Sequence, residues 1–180
     1  MPRKCPGAPW RAFLDNLDSQ ISTQTQLNCM GGFAIVQAYG LERSTADIDV
    51  ISVVPVGQDT EIVMLAGKAS ALRREHGIYI DNVTIATAPD GYESRLLPLY
   101  PECWRKLKLF GLEAHDLALS KLERNSERDR ADVFHLARSG FLNPDTLRQR
   151  YYHELRPYVI GRESWHDQTL EMWLEAFFPS

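Results

Sequence analysis

The chain has 180 residues, a formal net charge of −4 and a hydrophobic content of 44%, which suit one compact domain or a small domain with an appended helical part. This balance lacks the basic excess typical of nucleic-acid-binding proteins, although a local basic patch is compatible with it. No apolar run is long enough to span a membrane, and no hydrophobic stretch follows the basic residues near the N-terminus. We therefore expect a cytoplasmic protein with no membrane partner.

The cysteines are few and widely spaced. Cys5, Cys29 and Cys103 form no C-x-x-C pair. This spacing fits neither a disulfide framework nor a zinc site.

In chain order, the first part of the sequence mixes predicted helices and strands. Apolar residues at spacings of three and four predict helices, and β-branched runs bounded by Gly or Pro predict strands. The best strand is DIDVISVV, which Pro55 ends. The predicted helices cover 9–24, 33–39 and 59–75, and the predicted strands cover 27–30, 47–54, 78–86, 94–99 and 104–110.

After Gly111 the pattern predicts helices alone. These helices cover 114–124, 127–138, 144–155 and 164–177. The sequence therefore predicts an α+β fold in two parts. Residues 1–110 form a small mixed sheet flanked by helices, and residues 111–180 form a C-terminal helical subdomain.

Two acids interrupt the best strand. Asp47 and Asp49 are two residues apart, so their side chains lie on the same face of the strand. Like charges held together destabilise a strand unless a cation lies between them, and oxygen ligands favour a hard cation such as Mg²⁺. We interpret the pair as ligands for a metal that carries a nucleotide. The alternative is an exposed edge strand, where charges discourage aggregation.

A glycine pair precedes these acids. Gly31 and Gly32 lie between a predicted strand and a predicted helix, where a backbone without Cβ atoms can approach a phosphate closely. The helix that follows offers unpaired N–H groups to an anion. The alternative is that Gly32 only caps or punctuates the chain.

Asp81 is the candidate third carboxylate of a two-metal arrangement. It lies within the β-rich run GIYIDNVTIA. The alternative places Asp81 and Asn82 in the turn of a hairpin.

The stretch GGFAIVQAYGLERSTADIDV resembles the signature of nucleotidyltransferases of the DNA polymerase β superfamily, which is Gly-Gly or Gly-Ser, a spacer and then Asp-x-Asp. Within that superfamily the chain is most similar to bacterial nucleotidyltransferase-like families related to abortive-infection toxins. These families carry Arg-x-Thr before the acids, matched here by Arg43 and Thr45. They also carry a later Lys-Leu and Arg-Asp-x-x-Asp, matched within DLALSKLERNSERDRADV at 116–133.

The resemblance implies roles for these residues. Asp47, Asp49 and Asp81 would be the catalytic metal ligands. Gly31 and Gly32 would hold the triphosphate of an NTP.

The resemblance adds four further residues to the nucleotide site. Arg43 and Thr45 would contribute to nucleotide binding, and Lys121 and Asp129 would approach the nucleotide from the helical part. Three of these residues have a simpler alternative. Arg43 suits a solvated loop, Lys121 suits a helix C-terminus, and Asp129 with Ser126 suits a helix cap.

The expected activity is Mg²⁺-dependent transfer of a nucleoside monophosphate from an NTP to an acceptor hydroxyl. By the resemblance, the acceptor is the 3′ end of a tRNA or a protein, and the setting is a toxin with an antitoxin partner. Two alternatives remain open. One is an inactive fold that binds a regulatory partner, and the other is an enzyme that modifies an antibiotic.

Overall fold

The computed structural model describes residues 4–83 and 87–178. The chain divides into two compact units. Within the described residues, the first unit comprises 4–83 and 96–112, and the second comprises 87–95 and 113–178. The predicted boundary at residue 111 lies two residues before the longer segment of the second unit.

A five-stranded mixed sheet forms the centre of the first unit. Its strands are β1 (Thr25–Met30), β2 (Asp47–Val54), β3 (Tyr79–Asn82), β4 (Leu97–Leu99) and β5 (Leu107–Gly111). The strand order is β3-β2-β1-β5-β4. Strand β1 runs antiparallel to β2 and parallel to β5, while β2 is parallel to β3 and β4 is antiparallel to β5. The predicted α+β class is confirmed.

Four helices belong to the same unit: α1 (Trp10–Gln20), α2 (Gly31–Tyr39), α3 (Asp59–Ala66) and α4 (Ala71–His76). Apolar side chains of α1 and α2, including Phe13, Leu17 and Phe33, are fully buried with Ile48 and Val50 of β2. Burial of such side chains supplies most of the stability of a small sheet. The core therefore fixes α2 and β2, the two elements that carry the glycine pair and the acids.

The predicted single helix over 59–75 is wrong, because the chain forms α3 and α4 with a break between them. Gly67 ends α3, and the side chain of Ser70 caps α4 by accepting a hydrogen bond from the backbone N–H of Arg73. The apolar stripe continues across the break, since Ile62 and Leu72 are both buried. Periodicity reports burial on one face, and it does not detect this interruption.

Two alternatives for the acids are also wrong. Asp81 lies in β3 and pairs with Asp49 in the parallel register, so it is not in a hairpin turn. Strand β2 lies between β3 and β1, so Asp47 and Asp49 do not lie on an edge strand.

Strand β1 begins at Thr25, two residues before the predicted 27–30, whereas the other three predicted strands are shortened. The one over 78–86 begins at Tyr79 and ends at Asn82, and residues 84–86 lie outside the described part of the chain. A short 3-10 helix (Tyr92–Arg95) occupies the start of the one over 94–99. Strand β5 begins three residues later than predicted, at Leu107.

Cys5 and Cys103 form a disulfide with a Cα–Cα distance of 5.4 Å. The interpretation that the cysteines fit no disulfide was wrong, because the fold brings together residues that are 98 positions apart. Cys29 is a free cysteine and is fully buried. Burial, with the charge of Asp49, raises the pKa of the Cys29 thiol and makes it unreactive.

The second unit is helical in its longer segment. It contains α5 (Ala114–Leu119), α6 (Glu127–Arg138), α7 (Pro144–Arg150) and α8 (Glu163–Phe177). Helix α7 continues into a wider π-helical turn (Tyr151–Leu155). Within residues 4–83 and 87–178, no helix has both the length and the apolar character needed to cross a membrane.

Candidate functional site

Three carboxylates lie on one face of the sheet in the first unit. Asp47 and Asp49 project from the same face of β2, and Asp81 is the register partner of Asp49 on β3. Directly opposed residues on neighbouring strands project to the same side. The pairing of β2 with β3 thus brings the candidate third acid next to the Asp-x-Asp pair.

Each of two acids already accepts a hydrogen bond. The hydroxyl of Thr45 donates to Asp47 Oδ1 at 2.8 Å, and the hydroxyl of Tyr79 lies 3.5 Å from Asp47 Oδ2. The ammonium of Lys68 donates to Asp81 Oδ2 at 2.7 Å. Burial and the negative charge of Asp47 raise the pKa of Tyr79, so this hydroxyl keeps its proton at neutral pH.

The donor chemistry of this face fits a magnesium ion. In the described residues, no group of three His, Cys, Asp or Glu side chains is arranged to hold a metal. Mg²⁺, however, needs only one or two protein carboxylates when substrate phosphates complete its coordination. Asp47 and Asp49 supply that pair, and their role as ligands stays a prediction.

Gly31 connects the start of α2 to the acids. Its φ of +64° is a left-handed conformation that L side chains rarely adopt. A Cβ placed on Gly31 would lie 2.1 Å from Oδ2 of Asp49. Position 31 therefore needs glycine both for its backbone conformation and for the space that a Cβ would occupy. Gly31, the first residue of α2, lies in direct contact with Asp49.

Gly32 provides a second close approach. A Cβ on Gly32 would lie 2.9 Å from Nη2 of Arg43 and 3.2 Å from Oγ1 of Thr45. The spacer between the glycines and the acids thus folds back over the first turn of α2. Arg43, Thr45, the glycine pair and Asp47 come together around one helix N-terminus.

Sequence reasoning did not identify Lys68 and Tyr79 beside these acids, or Arg73 beside the Tyr79 ring. The Lys68 ammonium and the Arg73 guanidinium lie 5.4 Å and 5.3 Å from the centre of the Tyr79 ring. Tyr79 was detectable in principle, because it precedes Asp81 by two residues on a strand and so shares its face. Lys68 lies in the break between α3 and α4, and Arg73 lies in α4. The sequence pattern predicted neither the break nor the position of these two side chains beside Tyr79.

Lys121 and Asp129 belong to the second unit, where they form part of a buried ionic cluster. Lys121 Nζ is 2.8 Å from Asp132 and 3.4 Å from Asp129, and all three side chains are buried. A buried cation needs such partners to offset the loss of water. A nucleotide role for Lys121 stays a prediction, and its charge already has two carboxylate partners.

Asp129 caps α6, as the simpler alternative had it. Its carboxylate accepts from the backbone N–H of Ser126, while the Ser126 hydroxyl accepts from the backbone N–H of Asp129. Burial opposes ionisation, but hydrogen bonds from Arg124 and Ser126 outweigh it and lower the pKa of Asp129. Its predicted contact with nucleotide remains a prediction.

A separate concavity in the first unit lies between the C-terminal half of α2 and the edge strand β4. Its volume is about 760 Å³, and Trp10, Gln37, Leu99 and Tyr100 are among the lining residues. None of the predicted site residues lines it. It gives no support to a role in nucleotidyl transfer.

The mixed sheet, the glycine pair at the start of α2 and the acids on the next strand are features of a nucleotidyltransferase-like α+β protein. The chain belongs to the family described as "Nucleotidyltransferase of unknown function (DUF6036)", which matches residues 12–177. No curated protein and no solved structure matches the chain. The predicted membership of the nucleotidyltransferases is confirmed at this general level, and the relation to abortive-infection toxins stays a prediction.

Proposed function

We propose that this protein transfers a nucleoside monophosphate from an NTP to an acceptor hydroxyl and releases pyrophosphate. The observation that carries the proposal is the contact between Gly31 and Asp49, since it brings a helix N-terminus against an acid pair. The helix N-terminus attracts phosphate oxygens, and the acids attract the cation that accompanies them. One site would then bind both the triphosphate and the metal ion that accompanies it.

In this reaction the acceptor oxygen bonds to the α-phosphorus while the bond from that phosphorus to the pyrophosphate oxygen breaks. Asp47 and Asp49 would hold Mg²⁺, which when bound neutralises charge on the phosphate oxygens and activates the acceptor. Arg43 would hold the triphosphate beside Gly32. Asp81 would take the proton that leaves the acceptor hydroxyl.

We further propose that the acceptor is the 3′ end of a tRNA or a protein hydroxyl, and that the protein acts as a toxin controlled by an antitoxin. The support for this part is the resemblance of residues 31–50 and 116–133 to the toxin-related families. Fold alone does not specify an acceptor.

The second candidate is an inactive nucleotidyltransferase fold that binds a regulatory partner. One observation favours it, namely that Asp81 is ion-paired with Lys68 and so is not free to serve as a third metal ligand in this arrangement. An inactive module would transfer no nucleotide to an acceptor, so transfer of label from an NTP separates the two candidates. Nucleotide binding tests the proposed site itself.

The test is equilibrium binding of each α,β-methylene NTP in the presence of Mn²⁺. We expect Asp47→Asn/Asp49→Asn to lose at least about tenfold in affinity, because charge neutralisation dominates triphosphate binding. The matched control is Asp59→Asn/Asp145→Asn, which removes two exposed acids elsewhere and should bind like the natural protein. Equal binding by the two double variants would contradict the proposed site.

A further inference from the structure

Lys68 lies in the break between α3 and α4 and points at the candidate site. Its Nζ donates to Asp81 Oδ2 at 2.7 Å. Arg73 donates a hydrogen bond of 2.7 Å to the backbone carbonyl of Lys68, which holds the break in place. An internal cation therefore lies at the carboxylate that the proposed reaction needs.

The surroundings of Lys68 are those of a cation on an acidic face. Its ammonium lies over the Tyr79 ring, and the hydroxyl of that ring is next to Asp47. The Lys68 ammonium is therefore attracted to Asp81, to which it donates a hydrogen bond, and to Asp47, which lies beside the Tyr79 hydroxyl.

The Lys68–Asp81 ion pair is too exposed to contribute much to the stability of the fold. The side chains of Lys68 and Asp81 are 59% and 38% exposed, whereas the Lys121–Asp129 pair in the second unit is 5% and 0% exposed. Exposed pairs contribute little to stability and weaken with salt. A competing cation can therefore displace Lys68 without unfolding the sheet.

We propose that Lys68 is an internal counterion of Asp81, that a divalent cation with its NTP displaces it, and that the released ammonium then binds the triphosphate. This inference rests on the proposed function and names the regulation of the same site. Without nucleotide, Lys68 competes with the metal for the acidic face. With nucleotide, the same ammonium adds one positive charge to the phosphate-binding side.

The proposal predicts two effects of opposite sign from one substitution. In Lys68→Met the dissociation constant for Mn²⁺ alone should fall about threefold, because an exposed competing charge is lost. The dissociation constant for an α,β-methylene NTP with Mn²⁺ should rise about tenfold, because a charged hydrogen bond to phosphate is lost. A side chain that only supports the fold would weaken both.

The experiment measures Mn²⁺ binding by electron paramagnetic resonance and nucleotide binding by calorimetry. Arg74→Met is the matched control, since Arg74 is an exposed cation of α4 whose side chain bonds to the Ala69 carbonyl. It should change neither constant. Lys68→Arg keeps the charge and should restore most of the nucleotide affinity, and thermal unfolding verifies that all variants fold.

The outcomes separate the inference from the proposed function. If Asp47→Asn/Asp49→Asn loses Mn²⁺ but Lys68→Met binds metal and nucleotide unchanged, the counterion role is overturned and the site stands. If the double variant binds both probes like the natural protein, the proposed site fails and the counterion role fails with it. Weakening of both constants in Lys68→Met would also overturn the inference.

Discussion

Gly31 and Gly40 share a left-handed backbone, with φ of +64° and +69°, but their surroundings differ. Among the residues that the structure describes, a Cβ on Gly40 would meet no atom within 4 Å, whereas a Cβ on Gly31 would collide with the Asp49 carboxylate. Alanine substitutions at the two positions can therefore be compared. The Gly40 variant reports the free-energy cost of the left-handed backbone alone, and the Gly31 variant adds the cost of the collision with Asp49.

At this scale we predict that Gly40→Ala lowers the free energy of unfolding by about 1 kcal/mol, which is the cost of a left-handed alanine. Gly31→Ala should lower it by about 2–4 kcal/mol, because Asp49 must also move. Urea unfolding of the two variants measures the difference. Equal losses would show that Asp49 does not lie against Gly31.

At the scale of single elements, α6 has an N-terminus that is more than an ordinary cap. Ser126 accepts from the backbone N–H of Asp129 and also donates its hydroxyl to the buried Asp129 carboxylate at 2.7 Å. The N-cap of α7 is an ordinary cap, in which the Asn143 side chain accepts a hydrogen bond from the backbone N–H of Thr146. The two caps offer a comparison within one unit.

We predict that Ser126→Ala lowers the free energy of unfolding by about 2 kcal/mol and Asn143→Ala by about 1 kcal/mol. The larger loss reflects the buried carboxylate that loses a donor. Chemical denaturation monitored by circular dichroism gives both values. If Ser126→Ala costs no more than Asn143→Ala, the buried cluster around Asp129 does not depend on this cap.

Helix α5 begins at a carboxylate whose ionisation is linked to folding. Burial would raise the pKa of Glu113, but hydrogen bonds and charges from His115 and Arg150 outweigh it and lower the pKa to about 2. A carboxylate with a lowered folded-state pKa stabilises the protein above its unfolded value near 4.5, and this stabilisation is lost as the pH falls towards 2.

We therefore predict that Glu113→Gln lowers the free energy of unfolding by about 1–2 kcal/mol at pH 7. This range already allows for screening of the partly exposed ion pairs by solvent. The difference should shrink between pH 4.5 and pH 2 and vanish below that range. Urea midpoints at four pH values across the range measure it. A difference that stays constant with pH would contradict the assigned ion pairs.

At the scale of the whole molecule, local sequence signals predicted the first and last residues of some elements correctly. The bounds of β2 were predicted because a β-branched run ends at Pro55, and those of α6 because a capping box begins it. The glycine pair and the Asp-x-Asp pair lie within one stretch of the chain, so their association was also predictable. The contact between α2 and β2 could therefore be predicted without knowing how distant parts of the chain pair.

The remaining features depend on contacts between distant parts of the sequence. The Cys5–Cys103 disulfide joins residues 98 positions apart, and no spacing rule indicates which cysteines meet. The place of Asp81 depends on the parallel pairing of β3 with β2, and that of Lys68 on a break that periodicity did not detect. These features required the three-dimensional structure.

The measurement that tests the central claim most directly is transfer of label from each α-labelled NTP with Mg²⁺, using total tRNA and cell extract as acceptors. We predict label on an acceptor with the natural protein and with Asp59→Asn/Asp145→Asn, and no label with Asp47→Asn/Asp49→Asn, since only the last removes the proposed metal ligands. Absence of label with all four nucleotides and both acceptor pools would contradict the proposed activity and favour the partner-binding module.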